Sequence, residues 1–245
     1  MKLSIIIPCL NQTKELFDCL ESISKQSFLD FEIIVLDGGL GVNLNSISKS
    51  KSLQIKLVSE KDLGVYDAMN KGIDIANGDW LYFMGVDDAF YDFEVLEYLS
   101  TSFEIKDVKL ILGKIVYNYK KQDSIFLKRN EGLILPIWSK KIWIRNTIHH
   151  QGVFYHKSNF LKNKFDIRYK ILSDYDFNLK LWKQQVPILI LDRIIAKCGT
   201  GGLSKKYNLN LYKEEILLKT LSSSIIFTPI FICLTLIKYV FKKML

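Results

Sequence analysis

In the first half of the chain, short apolar runs alternate with stretches of helical periodicity, and this alternation constrains the fold more than any other feature. Strands are expected at Leu3–Ile7, Phe31–Leu36, Gln54–Val58, Trp80–Met84 and Lys109–Val116, each apolar and too short for a stable helix. Between the first two, Leu16, Leu20 and Ile23 recur at spacings of four and three, which places them on one face of a helix that Asn11 or Thr13 can cap. A second helical stretch, Gly64 to Ala76, stops at Asn77-Gly78 and leads into the strand carrying Trp80, Tyr82 and Met84. Strand, helix, strand in repetition predicts a mostly parallel, Rossmann-like central sheet flanked by helices, an α/β domain. At 245 residues with 49% apolar content, one compact unit is expected rather than two. After Val116 the pattern weakens: residues 118–148 read as loops with a short strand and one helix. His150–Tyr155 reads as a buried strand, and Ser173–Gln185 as an amphipathic helix with Phe177, Leu181 and Trp182 facing inward.

Charge is divided along the chain. Residues 1–104 hold 8 Lys+Arg against 17 Asp+Glu, a net of −9, and residues 105–245 hold 26 against 9, a net of +17. The acidic part can attract a divalent cation, and the basic part an anionic partner such as a membrane surface or a lipid pyrophosphate. The basic residues form no recognised nucleic-acid motif, so no nucleic-acid partner is expected. Cys9, Cys19, Cys198 and Cys233 are scattered, without the CxxC spacing of a zinc or redox site. Lys2 is the only charged residue before the apolar run Leu3–Ile7, which ends at Pro8, too short for a signal-peptide core.

Ligands of an open parallel sheet sit beyond the carboxyl ends of its strands. Those ends offer Pro8-Cys-Leu-Asn11, Asp37-Gly-Gly39, Glu60-Lys-Asp62 and Gly85-Val-Asp87-Asp88. No GxGxxG follows the first strand and no GxxxxGK[ST] occurs, so a nucleotide must be held without the usual phosphate cradles. Asp87 and Asp88 would repel one another unless a hard cation, Mg2+ or Mn2+, lies beside them; on spacing alone they equally describe a turn and a helix cap.

Several motifs in order resemble the family 2 glycosyltransferases of GT-A fold. Ile5-Ile-Ile-Pro-Cys-Leu-Asn11 is similar to the family's opening strand and Phe31-Glu-Ile-Ile-Val-Leu-Asp37-Gly-Gly39 to its second. Ser59-Glu-Lys-Asp-Leu-Gly-Val-Tyr-Asp-Ala-Met-Asn-Lys-Gly72 resembles the segment before the metal motif, followed by Gly78-Asp-Trp-Leu-Tyr-Phe-Met-Gly-Val-Asp-Asp88. The resemblance spans residues 3–204 and is nearest to bacterial polysaccharide-assembly members, including colanic-acid-type transferases. It implies that Pro8, Asn11, Asp37, Asp62, Asn70 and Asp87 contact the donor, with Asp37 at the uracil or ribose. Asp88 would be the firmer metal ligand, Asp87 serving metal or ribose. Ser173-Asp-Tyr-Asp176 resembles the acidic motif of these enzymes, with Asp174 as the base that activates an acceptor hydroxyl in an inverting reaction. His150, Gln151, Asp176 and Ser204 are candidate diphosphate or acceptor contacts, the last within the Gly-rich Gly199-Thr-Gly-Gly-Leu-Ser204, followed by Lys205 and Lys206. Two positions depart from the pattern: Met69 stands where an Arg is frequent, and Leu40-Gly-Val-Asn43 replaces a polar continuation after Asp37.

The resemblance thus implies a GT-A domain over residues 1–210, divided into a nucleotide-sugar-binding half (1–104) and an acceptor-binding half (105–210). Residues 211–245 are expected to form a helical tail. Between Lys219 and Lys238 lie 18 uncharged residues; as one helix they would extend ~27 Å, able to embed in a membrane or barely span it, or alternatively to lie buried against the domain. Lys238, Lys242 and Lys243 follow, suited to anionic headgroups. The expected partners are a UDP-sugar donor and a polyprenyl-diphosphate-linked acceptor at the cytoplasmic face of the inner membrane, in O-antigen, capsule or exopolysaccharide synthesis. Transfer directly to polyprenyl phosphate, or a non-catalytic sugar-nucleotide-binding scaffold, are the alternatives. The chain has no Gln-x-x-Arg-Trp motif, which argues against a processive synthase.

Overall fold

The computed structural model describes residues 2–11, 13–39, 41–42, 53–117, 132–201 and 209–244. Its framework is a nine-stranded sheet. The first strands are β1 (Leu3–Cys9), β2 (Phe31–Asp37), β3 (Ile55–Ser59), β4 (Trp80–Phe83) and the two-residue β5 (Ala89–Phe90). They are followed by β6 (Leu110–Tyr117), β7 (Leu133–Ile134), β8 (Val153–His156) and β9 (Ile188–Cys198). The order across the sheet is β3-β2-β1-β4-β8-β6-β9-β5, with β7 beside β6.

The four strands β3, β2, β1 and β4 are all parallel, as the alternation predicts. The second half departs from the expected parallel sheet. β8 runs antiparallel to both β4 and β6, β5 runs antiparallel to β9, and only β6 and β9 are parallel. The sheet is therefore mixed. Periodicity could not reveal this, since a buried strand reads the same in either direction. β9, which no expected element covered, combines an apolar sequence with an Asp192-Arg193 interruption, and its register against β6 shifts beside Lys114.

Side chains of successive strand residues point to opposite faces, and the two faces hold separate cores. On one, Ile5, Ile7, Ile33 and Val35 pack with Leu16, Leu20 and Ile23 of α1 (Thr13–Ser24) and Val95, Leu96 and Leu99 of α3 (Val95–Ser100). On the other, Ile6, Ile34 and Leu36 pack with Tyr66, Ala68, Met69 and Ile73 of α2 (Val65–Ile75) and Tyr175, Phe177 and Leu179 of α4 (Ser173–Lys183). Met69 is 4% exposed inside this second core, so the position where an Arg is frequent is here a packing position. The expected strand from His150 begins later: residues 150–152 form a single helical turn, closed by Gly152 N–H donating to His149 O, and β8 starts at Val153.

The C-terminal part is two helices, α5 (Leu209–Ser222) and α6 (Thr228–Met244). The apolar run does not form one helix. Pro229 lies in the first turn of α6, where its missing N–H has no intrahelical partner to lose, and Ser223–Phe227 breaks the path from α5. Among the described residues, no helix is long and apolar enough to cross a membrane. The expected boundary between 210 and 211 falls inside α5, where Leu218 is fully buried in the second core and Lys183 Nζ donates to Ser222 O. By contrast, Ile225 and Ile226 in the turn before α6, and Ile230, Leu236 and Val240 on α6, are exposed, while Lys238 of α6 and Lys219 of α5 share Glu215.

Removing the Leu218 side chain from this packed position should cost about 2–5 kcal/mol. Denaturant unfolding of Leu218→Ala checks this; an unchanged midpoint would mean that α5 is not docked.

Candidate active site

β5 and β9 pair with Ala89 opposite Lys197 and Phe90 opposite Ala196, so the turn before β5 and the turn after β9 lie side by side. Asp88 is 4% exposed, and its carboxylate accepts from Gly85 N–H at 2.9 Å and from Gly199 N–H at 3.0 Å. Burial and the neighbouring charge of Asp87 raise its pKa above the usual carboxylate value despite the two amides. Asp87 is exposed. Gly199 is required here, because a Cβ would sit 2.0 Å from Asp87 Oδ2. Beneath the turn, Cys19 Sγ contacts Gly85 O, and burial together with the charges of Asp88 and Asp87 keeps it a thiol.

The second carboxylate, Asp174, opens α4 and is 7% exposed. His150 Nδ1 approaches its Oδ2 at 3.4 Å, and Tyr66 Oη lies 2.9 Å from its Oδ1 and 2.8 Å from Ile171 O, with one proton to offer either acceptor. Burial, then the charge of Asp174, lifts the Tyr66 pKa far above its ordinary value, so the phenol stays a donor. Burial would raise the Asp174 pKa and lower that of His150. The mutual contact overturns both: Asp174 is held below its usual range by His150, Tyr66 and the Tyr175 amide, and His150 is raised by Asp174 and by the charge of Asp88. His150 thus contacts Asp174 and also feels the charge of Asp88, and both favour its protonated form. Tyr66 was contained in the motif segment, but its role depends on a partner 108 positions away, which no local spacing reveals.

Other expected site residues divide into crevice-lining and structural groups. Asn11 is exposed, in a left-handed conformation (φ 55), and a Cβ on Gly39 would fall 2.2 Å from its Oδ1; likewise Asp62 Oδ2 occupies the space beside Gly38. With half-buried Pro8, they line the carboxyl ends of β1 to β3. Asp37, expected at uracil or ribose, is 1% exposed and accepts from Gly39 N–H, Val42 N–H and Ser59 Oγ, so its carboxylate shapes the loop. Asn70, expected at the nucleotide, instead clamps Phe165, donating to its carbonyl and accepting from its amide. Asp176 lies roughly 200° around α4 from Asp174 and pairs with Lys180 at 2.6 Å, away from the base. Gln151 presents its carbonyl to Tyr82 Oη at 2.6 Å. Leu40, Asn43, Ser204, Lys205 and Lys206 lie outside the described residues.

Among the described residues, no group of three or more His, Cys, Asp or Glu can hold a metal. Two adjacent carboxylates with one exposed fit a hard cation that takes most of its shell from phosphate and water, and do not make an all-protein cage. Each oxygen of Asp88 accepts one amide and keeps a second lone pair for a cation, while Asp87 is the more exposed of the two.

The His150–Asp174 pair has a defined pH signature. Raised His150 stabilises the fold below its unfolded value of 6.5 and loses that contribution as pH rises through the higher folded pKa. Lowered Asp174 contributes above 3.8 and loses it as pH falls through the lower folded value. The stability difference between wild type and His150→Gln should therefore be greatest between pH 3.8 and 6.5 and shrink on both sides. Denaturation across pH measures it, and a flat difference would remove the ion pair.

The chain is similar to several known proteins. A PGL/p-HBAD biosynthesis glycosyltransferase of Mycobacterium tuberculosis is 33% identical over 214 residues, covering 82% of this chain and 78% of the relative. The amylovoran biosynthesis glycosyltransferase AmsB of Erwinia amylovora is 29% identical over 210 residues, with 79% and 68% covered. The fold matches that of S. aureus TarS 1-349 in complex with UDP-GlcNAc at a TM-score of 0.68 and 20% identity, covering 89% of this chain and 65% of TarS 1-349. It also matches the mannosyltransferase PcManGT of Pyrobaculum calidifontis in complex with GDP-Man and Mn2+, at 0.63 and 13%, with 94% and 68% covered. The chain thus spans under two thirds of the TarS length. These neighbours show a GT-A-like fold. The family model "Glycosyl transferase family 2" matches residues 4–170, and the chain belongs to that family of glycosyltransferases.

Proposed function

We propose that this glycosyltransferase moves a sugar from a UDP-sugar to a hydroxyl of a lipid-linked saccharide during assembly of a bacterial surface glycan, with inversion at the anomeric carbon. The observation that carries the reading is the buried Asp174, held below its usual carboxylate range by its contact with His150, whose own pKa is raised by Asp174 and by the charge of Asp88. The UDP and UDP-GlcNAc complexes of TarS support the donor class, and the biosynthetic names of the relatives support the product class.

In this reading the acceptor oxygen bonds to the anomeric carbon as the bond from that carbon to the diphosphate breaks, and the electron pair departs with UDP. Asp174 receives the acceptor proton. Its lowered pKa keeps it ionised at neutral pH but makes it a weak base at rest, so proton transfer accompanies attack rather than preceding it. His150 orients the carboxylate, and the raised pKa of its ring favours the protonated form, whose charge would stabilise the leaving group as it gathers negative charge. Pro8, Asn11 and Asp62 line the crevice for the nucleoside, with Asp37 holding the loop beside it. Asp87, with Asp88 next to it, would hold Mg2+ or Mn2+, which supplies charge neutralisation at the diphosphate when bound.

The exposed apolar residues of α6 support a membrane-surface location at the cytoplasmic face. α6 contains Lys238, Lys242 and Lys243 and no acidic residue, a composition suited to lying in an anionic headgroup layer without crossing it. That placement brings the domain to acceptors carried on lipid diphosphates.

Asp174→Asn should lower UDP release from a screened UDP-sugar and lipid-linked acceptor by about 10²–10⁴-fold while retaining UDP binding; full turnover would exclude Asp174 as base. Asp87→Asn should abolish Mn2+-dependent UDP binding in calorimetry, and unchanged binding would refute the metal assignment. The full chain should sediment with phosphatidylglycerol vesicles and lose that on combining Ile226→Ser with Ile230→Ser. Equal sedimentation of both proteins would defeat the surface reading.

A further inference from the structure

Glu214, on α5, is 9% exposed and stands opposite the loop that enters α4. Its Oε1 accepts from Lys170 N–H at 2.7 Å, and its Oε2 accepts from Ile171 N–H at 2.9 Å and Leu172 N–H at 3.0 Å. Three consecutive amides just before a helix have no partner of their own in that helix. A carboxylate is the group best matched to them, both as acceptor and by its charge at the positive end of the helix. Asp174 follows two residues after the last clamped amide, and Ile171, the central one, offers its carbonyl to the same Tyr66 hydroxyl that approaches Asp174. The entry to α4 is therefore held on one side by Glu214 and on the other by Tyr66.

We infer that Glu214 is a positioning residue for Asp174: its clamp on residues 170–172 sets the first turn of α4 so that the carboxylate meets His150. The role deepens the assignment of Asp174 as base and rests on it for its catalytic meaning. Glu215, the adjacent residue, is bridged to Lys219 and to Lys238 of α6, so the helix that sets the base is also the one that anchors the C-terminal hairpin. A plain packing role would be sufficiently served by Leu218 on the same helix, whereas three hydrogen bonds from one buried carboxylate fix direction as well as distance.

The test reads the geometry without turnover, so it separates failure of the clamp from failure of the proposed reaction. In full-length protein free of added metal, the His150 ring resonances are followed by NMR as pH is varied, assigned by their loss in His150→Gln. His150 faces Asp174 and feels the charge of Asp88; only the first depends on the clamp. In Glu214→Gln, which keeps the shape but cannot accept all three amides, the His150 midpoint should move down toward 6.5, the ordinary value, and Glu214→Ala should move it further. Leu218→Ala, which weakens α5 without touching the clamp, should leave the midpoint unchanged although it unfolds more easily, and Glu214→Asp should restore part of the shift. An unmoved His150 midpoint in folded Glu214→Gln, or an equal displacement in Leu218→Ala, would overturn the inference.

Discussion

The direction of β8 decides where the chemistry can be. Because β8 runs antiparallel to β4, with Tyr82 opposite Phe154 and Trp80 opposite His156, the start of β8 lies at the carboxyl end of β4. The turn carrying His150 is thereby placed beyond the same edge as Asp87 and Asp88. Had β8 been parallel, His150 would stand at the opposite edge of the sheet. The hydrogen bond from Tyr82 Oη to Gln151 O fastens this placement, and Tyr82 is itself stacked between Phe90 and Phe154.

A second antiparallel pairing completes the site. β5 has only two residues, yet its register against β9 brings Gly199 over Asp87 and directs its amide to Asp88. One carboxylate of the pair is consequently buried and hydrogen-bonded, and the other is exposed. Adjacent acids in a sequence are equivalent until backbone amides reach one of them, and of the two amides on Asp88 one is the nearby Gly85 and the other comes from 111 positions away. The same logic separates Asp174 from Asp176. Two positions apart on a helix, they face nearly opposite directions, one toward His150 and the other toward Lys180.

The C-terminal helices show how a composition signal can hide a division of labour. Eighteen uncharged residues suggest one apolar rod, but Pro229 and the serines before it divide the run, and most of its exposed apolar residues lie on α6 and the turn before it, while Leu218 builds α5 into the core. Leu218 and Glu214 fasten α5 to α4. The basic tail and the acidic motif, read separately along the sequence, are thus one structural unit around the candidate base.

Local sequence determined the elements of the N-terminal half: the apolar runs, their intervening helical faces, and the carboxylates at the strand ends, because burial periodicity and chain order are local properties. The motifs also determined the family. Only the tertiary structure decided that the sheet is mixed, that Asn70 and Asp37 hold backbone rather than stand open, and that Asp87 is the accessible acid of its pair. It also brought Tyr66 and Glu214 to Asp174. Strand direction, burial of a given carboxylate and the partner of a distant hydroxyl depend on contacts between segments far apart in the chain, and the spacing of residues within one segment carries no information about them.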